Sequence, residues 1–146
     1  MGIYLNHGKA AFEKAVNSEI YVDKTEMILY LNSLVNTEQN DVCVSRPRPF
    51  GKTMATSVVS AYYDRSADSK ELFTERKLAE HAGWDRFLGG FDVIRLDMTE
   101  FIKEDRSVAE GLKKLSSRVL ADLDEAYPES GGDSDDLVYS YVGDTA

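Results

Sequence analysis

The side chains most able to do chemistry lie in one stretch, Val42-Cys-Val-Ser-Arg-Pro-Arg-Pro-Phe-Gly-Lys-Thr53. Backbone N–H groups at a helix start can point at phosphate oxygens, and a glycine leaves room for the phosphate to come close. A lysine neutralises phosphate charge, and a hydroxyl can bind magnesium. Gly51, Lys52 and Thr53 have the residue types for the last three roles, while the position five residues before Gly51, usually a glycine in such loops, is Arg46. A Gly-Lys-Ser/Thr tripeptide arises by chance in about one chain of this length in fifteen. The flanking elements therefore carry the argument. The plainer alternative is a Pro-constrained loop in which Gly51 ends a turn and Lys52 and Thr53 simply begin a helix.

Other reactive side chains offer less. His7 and His81 have no partner at catalytic spacing and read as surface residues. With one cysteine, Cys43, they lack the clustering of a zinc site. Cys43, in a short β-branched run, is expected to be a small buried core residue.

The elements that must position Gly51 to Thr53 follow from periodicity. Asp41-Val-Cys-Val-Ser45 is short, β-branched and bounded by turn formers, so it predicts a buried strand. From Lys52 to Tyr63, Met54, Val58, Val59 and Tyr62 fall on one helical face. Upstream, helices are predicted from Lys9 to Val16 and over Met27 to Val35, the second with Asp23 and Thr25 as caps. Downstream, 69–73 and 75–82 read as helical and 84–88 as an amphipathic turn. Phe91-Asp-Val-Ile-Arg-Leu-Asp97 reads as a second strand. Ser107 and Glu110 form a capping box ahead of Val108, Leu112, Leu115, Val119 and Leu123, which predicts a helix of about five turns. Beyond Pro128, the stretch from Asp133 to Tyr141 reads as a further helix.

Composition narrows the function classes. The chain has 146 residues, suited to one domain, and a net charge of −9 from 17 basic and 26 acidic residues. Eight of the carboxylates (Asp122, Asp124, Glu125, Glu129, Asp133, Asp135, Asp136 and Asp144) follow residue 120, with no Lys or Arg among them. A net repulsive field does not favour direct nucleic-acid binding. No stretch is long and apolar enough for a membrane span or a signal peptide, so a cytoplasmic protein is expected.

At the level of motifs the chain resembles the AAA-ATPase-like family, whose P-loop domain often precedes a PD-(D/E)xK nuclease-like domain. Ile20-Tyr-Val-Asp-Lys-Thr25 is similar to that family's Tyr-Val-Asp-Lys-Thr signature, and Ser45-Arg-Pro-Arg-Pro-Phe-Gly-Lys-Thr53 to its Ser-Arg-Pro-Arg-Arg-Phe-Gly-Lys-Ser. Tyr62-Tyr63, Glu71-Leu72-Phe73 and Asp92 to Asp97 also sit where the family has similar residues. Pro49 departs from the pattern: it replaces an arginine and removes a backbone donor.

The resemblance implies an α/β fold, an incomplete P-loop NTPase-like parallel sheet with helices on its faces. Residues 1–40 would be a helical lead-in, 41–126 the P-loop core and 127–146 an acidic segment. It also implies ATP and Mg2+ held by Arg46, Arg48, Gly51, Lys52 and Thr53, with the metal on Thr53; Asp97, a carboxylate ending an apolar run, is a further metal candidate from the residues alone, since by order along the chain it matches the family's second strand and not its magnesium-ordering one. Asp97 has a second reading as a strand-end cap. The family continues past such a region into an apolar strand ending in an Asp-Glu pair that orders magnesium and water. The sequence ends at Ala146 before one, so hydrolysis is expected to be weak or absent. Pairing through an exposed sheet edge would give a homodimer. The alternative is a non-catalytic acidic module that docks on a partner as an inhibitor or decoy of a nucleic-acid enzyme.

Overall fold

A computed structural model describes residues 4–45, 51–97 and 107–128. The chain divides into two compact units, His7–Val93 on one side and Met1–Asn6 with Ile94–Ala146 on the other.

The first of these is helical. Its elements are α1 (Ala10–Val16), α2 (Met27–Leu34), α3 (Lys52–Tyr63), α4 (Lys70–Thr74) and a 3-10 turn over Lys77–Glu80. Phe12, Ile28, Val58, Ala61, Tyr62, Phe73 and Leu78 are fully buried together. The period seen in the sequence explains this choice: α3 turns Ser57, Val58, Ser60, Ala61 and Tyr62 inward. Phe12 stacks on Phe73 at 4.9 Å between ring centres, and Tyr62 meets Phe73 edge-on at 5.6 Å.

Polar atoms at the far end of α3 are tied off. The Tyr62 hydroxyl donates to the Trp84 carbonyl (2.7 Å) and accepts from Asn32 Nδ2 (2.9 Å), while the Tyr63 hydroxyl donates to Asn32 Oδ1 (2.6 Å). Burial raises the pKa of both tyrosines, against a partial offset at Tyr62 from the Asn32 hydrogen bond. Asp64, fully buried, accepts from the N–H of Gly8 (2.6 Å) and from the N–H (2.8 Å) and hydroxyl (2.6 Å) of Ser66.

The expected parallel α/β sheet, an incomplete P-loop NTPase-like core, is not found among the described residues. Among the described residues, strand pairing is limited to two isolated bridges, Asp64 with Phe91 in parallel and Leu5 with Ile94 in antiparallel. No β-bridge joins the two predicted strands. Asp41 to Ser45 forms no ladder, and Val42 and Val44 are 41% and 53% exposed. The run from Phe91 to Asp97 is divided, its first half closing on the end of α3 through Phe91 N–H to the Tyr63 carbonyl (2.9 Å). Two short segments with different neighbours cannot share hydrogen bonds, and isolated strands are not stable by themselves. Cys43 is exposed rather than a core residue, for the same reason. His7 and His81 are exposed, as expected.

In the other unit, α5 (Val108–Ala126) is the capped helix predicted from Ser107 and Glu110, with the Ser107 hydroxyl accepting the Glu110 N–H at 3.3 Å. Leu115 and Val119 pack on Tyr4. Asp122 is buried and accepts the N–H groups of Tyr4 (2.5 Å) and Leu5 (3.2 Å). One of the eight acids that follow residue 120 is thus a structural anchor. The helix predicted from Asp133 to Tyr141 lies outside the described residues. Among the described residues no helix is long and apolar enough to cross a membrane.

Candidate functional site

The site is the first turn of α3. Gly51 adopts φ +75°, a left-handed conformation that costs other L-residues roughly 1 kcal/mol or more. From there its carbonyl accepts the Ala55 N–H at 3.0 Å and starts the helix. Lys52 and Thr53 are exposed in the turn that follows, and no acid occupies it. The N–H groups of a first turn have no partner inside the helix and sit at the positive end of its dipole. Deeper in, the hydroxyls of Thr56 and Ser57 donate to the Thr53 carbonyl at 2.7 and 3.1 Å, so they are spent on the backbone. The exposed side chains of this turn are thus an ammonium at Lys52 and a hydroxyl at Thr53.

Gly51, Lys52 and Thr53 stand at the start of α3, where the sequence predicts a helix to begin. Arg46 and Arg48 lie outside the described residues. Asp97 is exposed and belongs to the unit that contains α5, whereas Gly51 to Thr53 belong to His7–Val93. Among the described residues no group of three or more His, Cys, Asp or Glu side chains could hold a metal ion. Alongside the segment that leads into the loop runs a groove of about 440 Å3, lined by Met27, Tyr30, Leu31 and residues 41–45.

Lys24, in the Tyr-Val-Asp-Lys-Thr stretch whose Asp23 and Lys24 could face a nucleotide base, bind a neighbouring domain or simply start a capped helix, lies beside this turn. A methyl group built on Gly51 would lie 2.8 Å from Lys24 Nζ, so the lysine's tip fills the space beside the glycine. Its neighbours hold the other side. Asp23 Oδ1 accepts the N–H (2.9 Å) and hydroxyl (2.7 Å) of Thr25, Asp23 Oδ2 accepts the Lys77 N–H (2.9 Å), and Thr25 Oγ1 accepts the Leu78 N–H (3.2 Å). Asp23 and Thr25 were expected to cap the following helix. Neither caps α2 itself; Asp23 closes the turn at Thr25 that precedes it, and both side chains cap the 3-10 turn at Lys77. Partial burial alone would raise the pKa of Asp23, but the hydrogen bonds from Lys77 and Thr25, with Arg76 nearby, outweigh it and hold the carboxyl below its usual range.

Of the eight late carboxylates, Asp124 and Glu125 are exposed and Asp122 is buried. Glu129, Asp133, Asp135, Asp136 and Asp144 lie outside the described residues.

An apolar lead-in, a Pro-rich loop and Gly-Lys-Thr opening a helix define an ATPase-like class of chain. Comparison with known families agrees with this class: the family described as predicted AAA-ATPase matches residues 7–142, and the chain belongs to it. No curated protein and no solved structure matches.

Proposed function

We propose that this protein binds the phosphates of ATP at the first turn of α3. The carrying observation is that Gly51 hands over in a left-handed conformation to a helix whose first turn exposes Lys52 and Thr53 and contains no acid. Membership of the predicted AAA-ATPase family supports the choice of a nucleotide over a simple anion. Lys52 neutralises the outer phosphates, the first-turn N–H groups bind phosphate oxygens, and the Thr53 hydroxyl holds Mg2+, whose role is to draw charge from the phosphate chain. Arg46 and Arg48 add cations from the loop.

Turnover is proposed to be slow. Phosphoryl transfer depends on carboxylates that order magnesium and water, and the adjacent Asp124-Glu125 pair of this sequence is on α5, a helix.

The test is a titration with a fluorescent ATP analogue, with and without magnesium. Lys52→Ala is expected to weaken binding about ten- to a hundredfold, the loss of one charge-assisted contact. Equal binding by parent and variant would remove the proposal.

A further inference from the structure

We propose that Lys24 is a second cation of the nucleotide phosphate site, paired with Lys52 across Gly51; the inference rests on the ATP-binding function proposed above. Three observations support it. The first is proximity, since Lys24 Nζ ends against Gly51, the residue that opens the phosphate-binding turn.

The second is aim. The Lys24 backbone is fixed on each side: Asp23 and Thr25 are pinned to Lys77 and Leu78, and the Lys24 carbonyl accepts the Met27 N–H at 3.2 Å. Thr25 is fully buried. A long flexible side chain on a rigid base loses less entropy when it must hold its tip in one place.

The third is electrostatic. An ammonium beside the N-terminus of a helix is at the wrong end of the helix dipole, and here a second ammonium, Lys52, stands in the same turn without an acid. Such an arrangement raises the local positive potential, and a polyphosphate chain with several negative charges lowers it. A nucleoside triphosphate therefore gains more from Lys24 than a diphosphate or a monophosphate does.

Gly51 is thus required twice over, for its backbone conformation and for the ammonium that occupies the place of a side chain.

The experiment measures affinity for MgATP, MgADP and AMP in the full chain, its Lys52→Ala variant, Lys24→Met and Lys24→Arg. Lys24→Met keeps the apolar stem against Gly51 and removes the charge. It is expected to weaken MgATP about tenfold, with a smaller loss for MgADP and almost none for AMP. Lys24→Arg is expected to stay within about threefold of the parent, since the charge is kept. A stem that merely packs would give the reverse order, with methionine harmless.

If Lys24→Met binds MgATP like the parent while Lys52→Ala does not, Lys24 is not part of the site and the ATP reading stands. If the parent does not bind MgATP, or Lys52→Ala binds as the parent does, the ATP reading fails and Lys24 falls with it. A measurement on the parent alone guards against variants that do not fold: acylation of lysines with and without MgATP, resolved by mass spectrometry. Protection of Lys24 and Lys52 together, with Lys9, Lys14 and Lys70 unchanged, supports the proposal. Protection of Lys52 without Lys24 overturns it.

Discussion

The two ends of α3 are built for opposite purposes. At the C-terminal end, the Tyr62 carbonyl accepts the Gly89 N–H (2.8 Å), the Tyr63 carbonyl accepts the Phe91 N–H (2.9 Å), and buried Asp64 takes three further donors. At the N-terminal end, Gly51, Lys52 and Thr53 leave the first-turn donors facing outward with two lysines close by. A helix end buried for stability has its polar groups satisfied by its own chain. One that leaves its first-turn donors exposed keeps them available to a ligand, which is the role proposed for this end.

The largest loss is expected at the packed end. Asp64→Ala leaves the N–H groups of Gly8 and Ser66 without their acceptor, and is expected to cost about 3 kcal/mol of stability. Denaturant unfolding measures it, and a loss below about 1 kcal/mol would mean that this end is not the anchor it resembles. Lys52→Ala, at the other end, should leave the unfolding midpoint within about 0.5 kcal/mol of the parent despite its effect on ATP, because an exposed lysine contributes little to folding.

Gly51→Ala falls between the two. A left-handed alanine costs roughly 1 to 2 kcal/mol, and its methyl group must displace the Lys24 ammonium from 2.8 Å, so stability and MgATP affinity should fall together. A variant with parental stability and affinity would show that neither the conformation nor the contact matters.

The helices were legible in the sequence because their signals are local: the apolar faces of α1, α2 and α3 and the Ser107 cap of α5 can be read within a few turns. Strand pairing is not local. Asp41 to Ser45 has the β-branched composition of a buried strand, yet composition does not supply a neighbour, and its valines are exposed. Phe91 to Asp97 reads as one strand, but Phe91 follows Asp64 while Ile94 follows Leu5. Gly51, Lys52 and Thr53 were legible as a motif with a known chemical logic. Lys24 was legible only as part of a signature, since its place beside Gly51 depends on a turn at Lys77 more than fifty residues later in the chain.

The smallest expected effect concerns that turn and pH. The folded-state pKa of Asp23 is lowered, so its stabilising contribution is complete above the unfolded value of about 4 and is lost as the pH falls through the lower folded value. The stability difference between the parent and Asp23→Asn should therefore shrink as the pH drops from about 5 to 3. A difference that grows with acidity would contradict the hydrogen bonds assigned to this carboxylate.

The central claim, that α3 binds nucleotide phosphates at its exposed end and not elsewhere, is tested most directly by amide chemical shifts in a titration of the 15N-labelled protein with MgATP. The account predicts saturable shifts of the Gly51, Lys52 and Thr53 amides, with those of Gly89 and Phe91 at the packed end unmoved. Saturable shifts that leave Gly51 to Thr53 in place, or no shifts at millimolar MgATP, would contradict it.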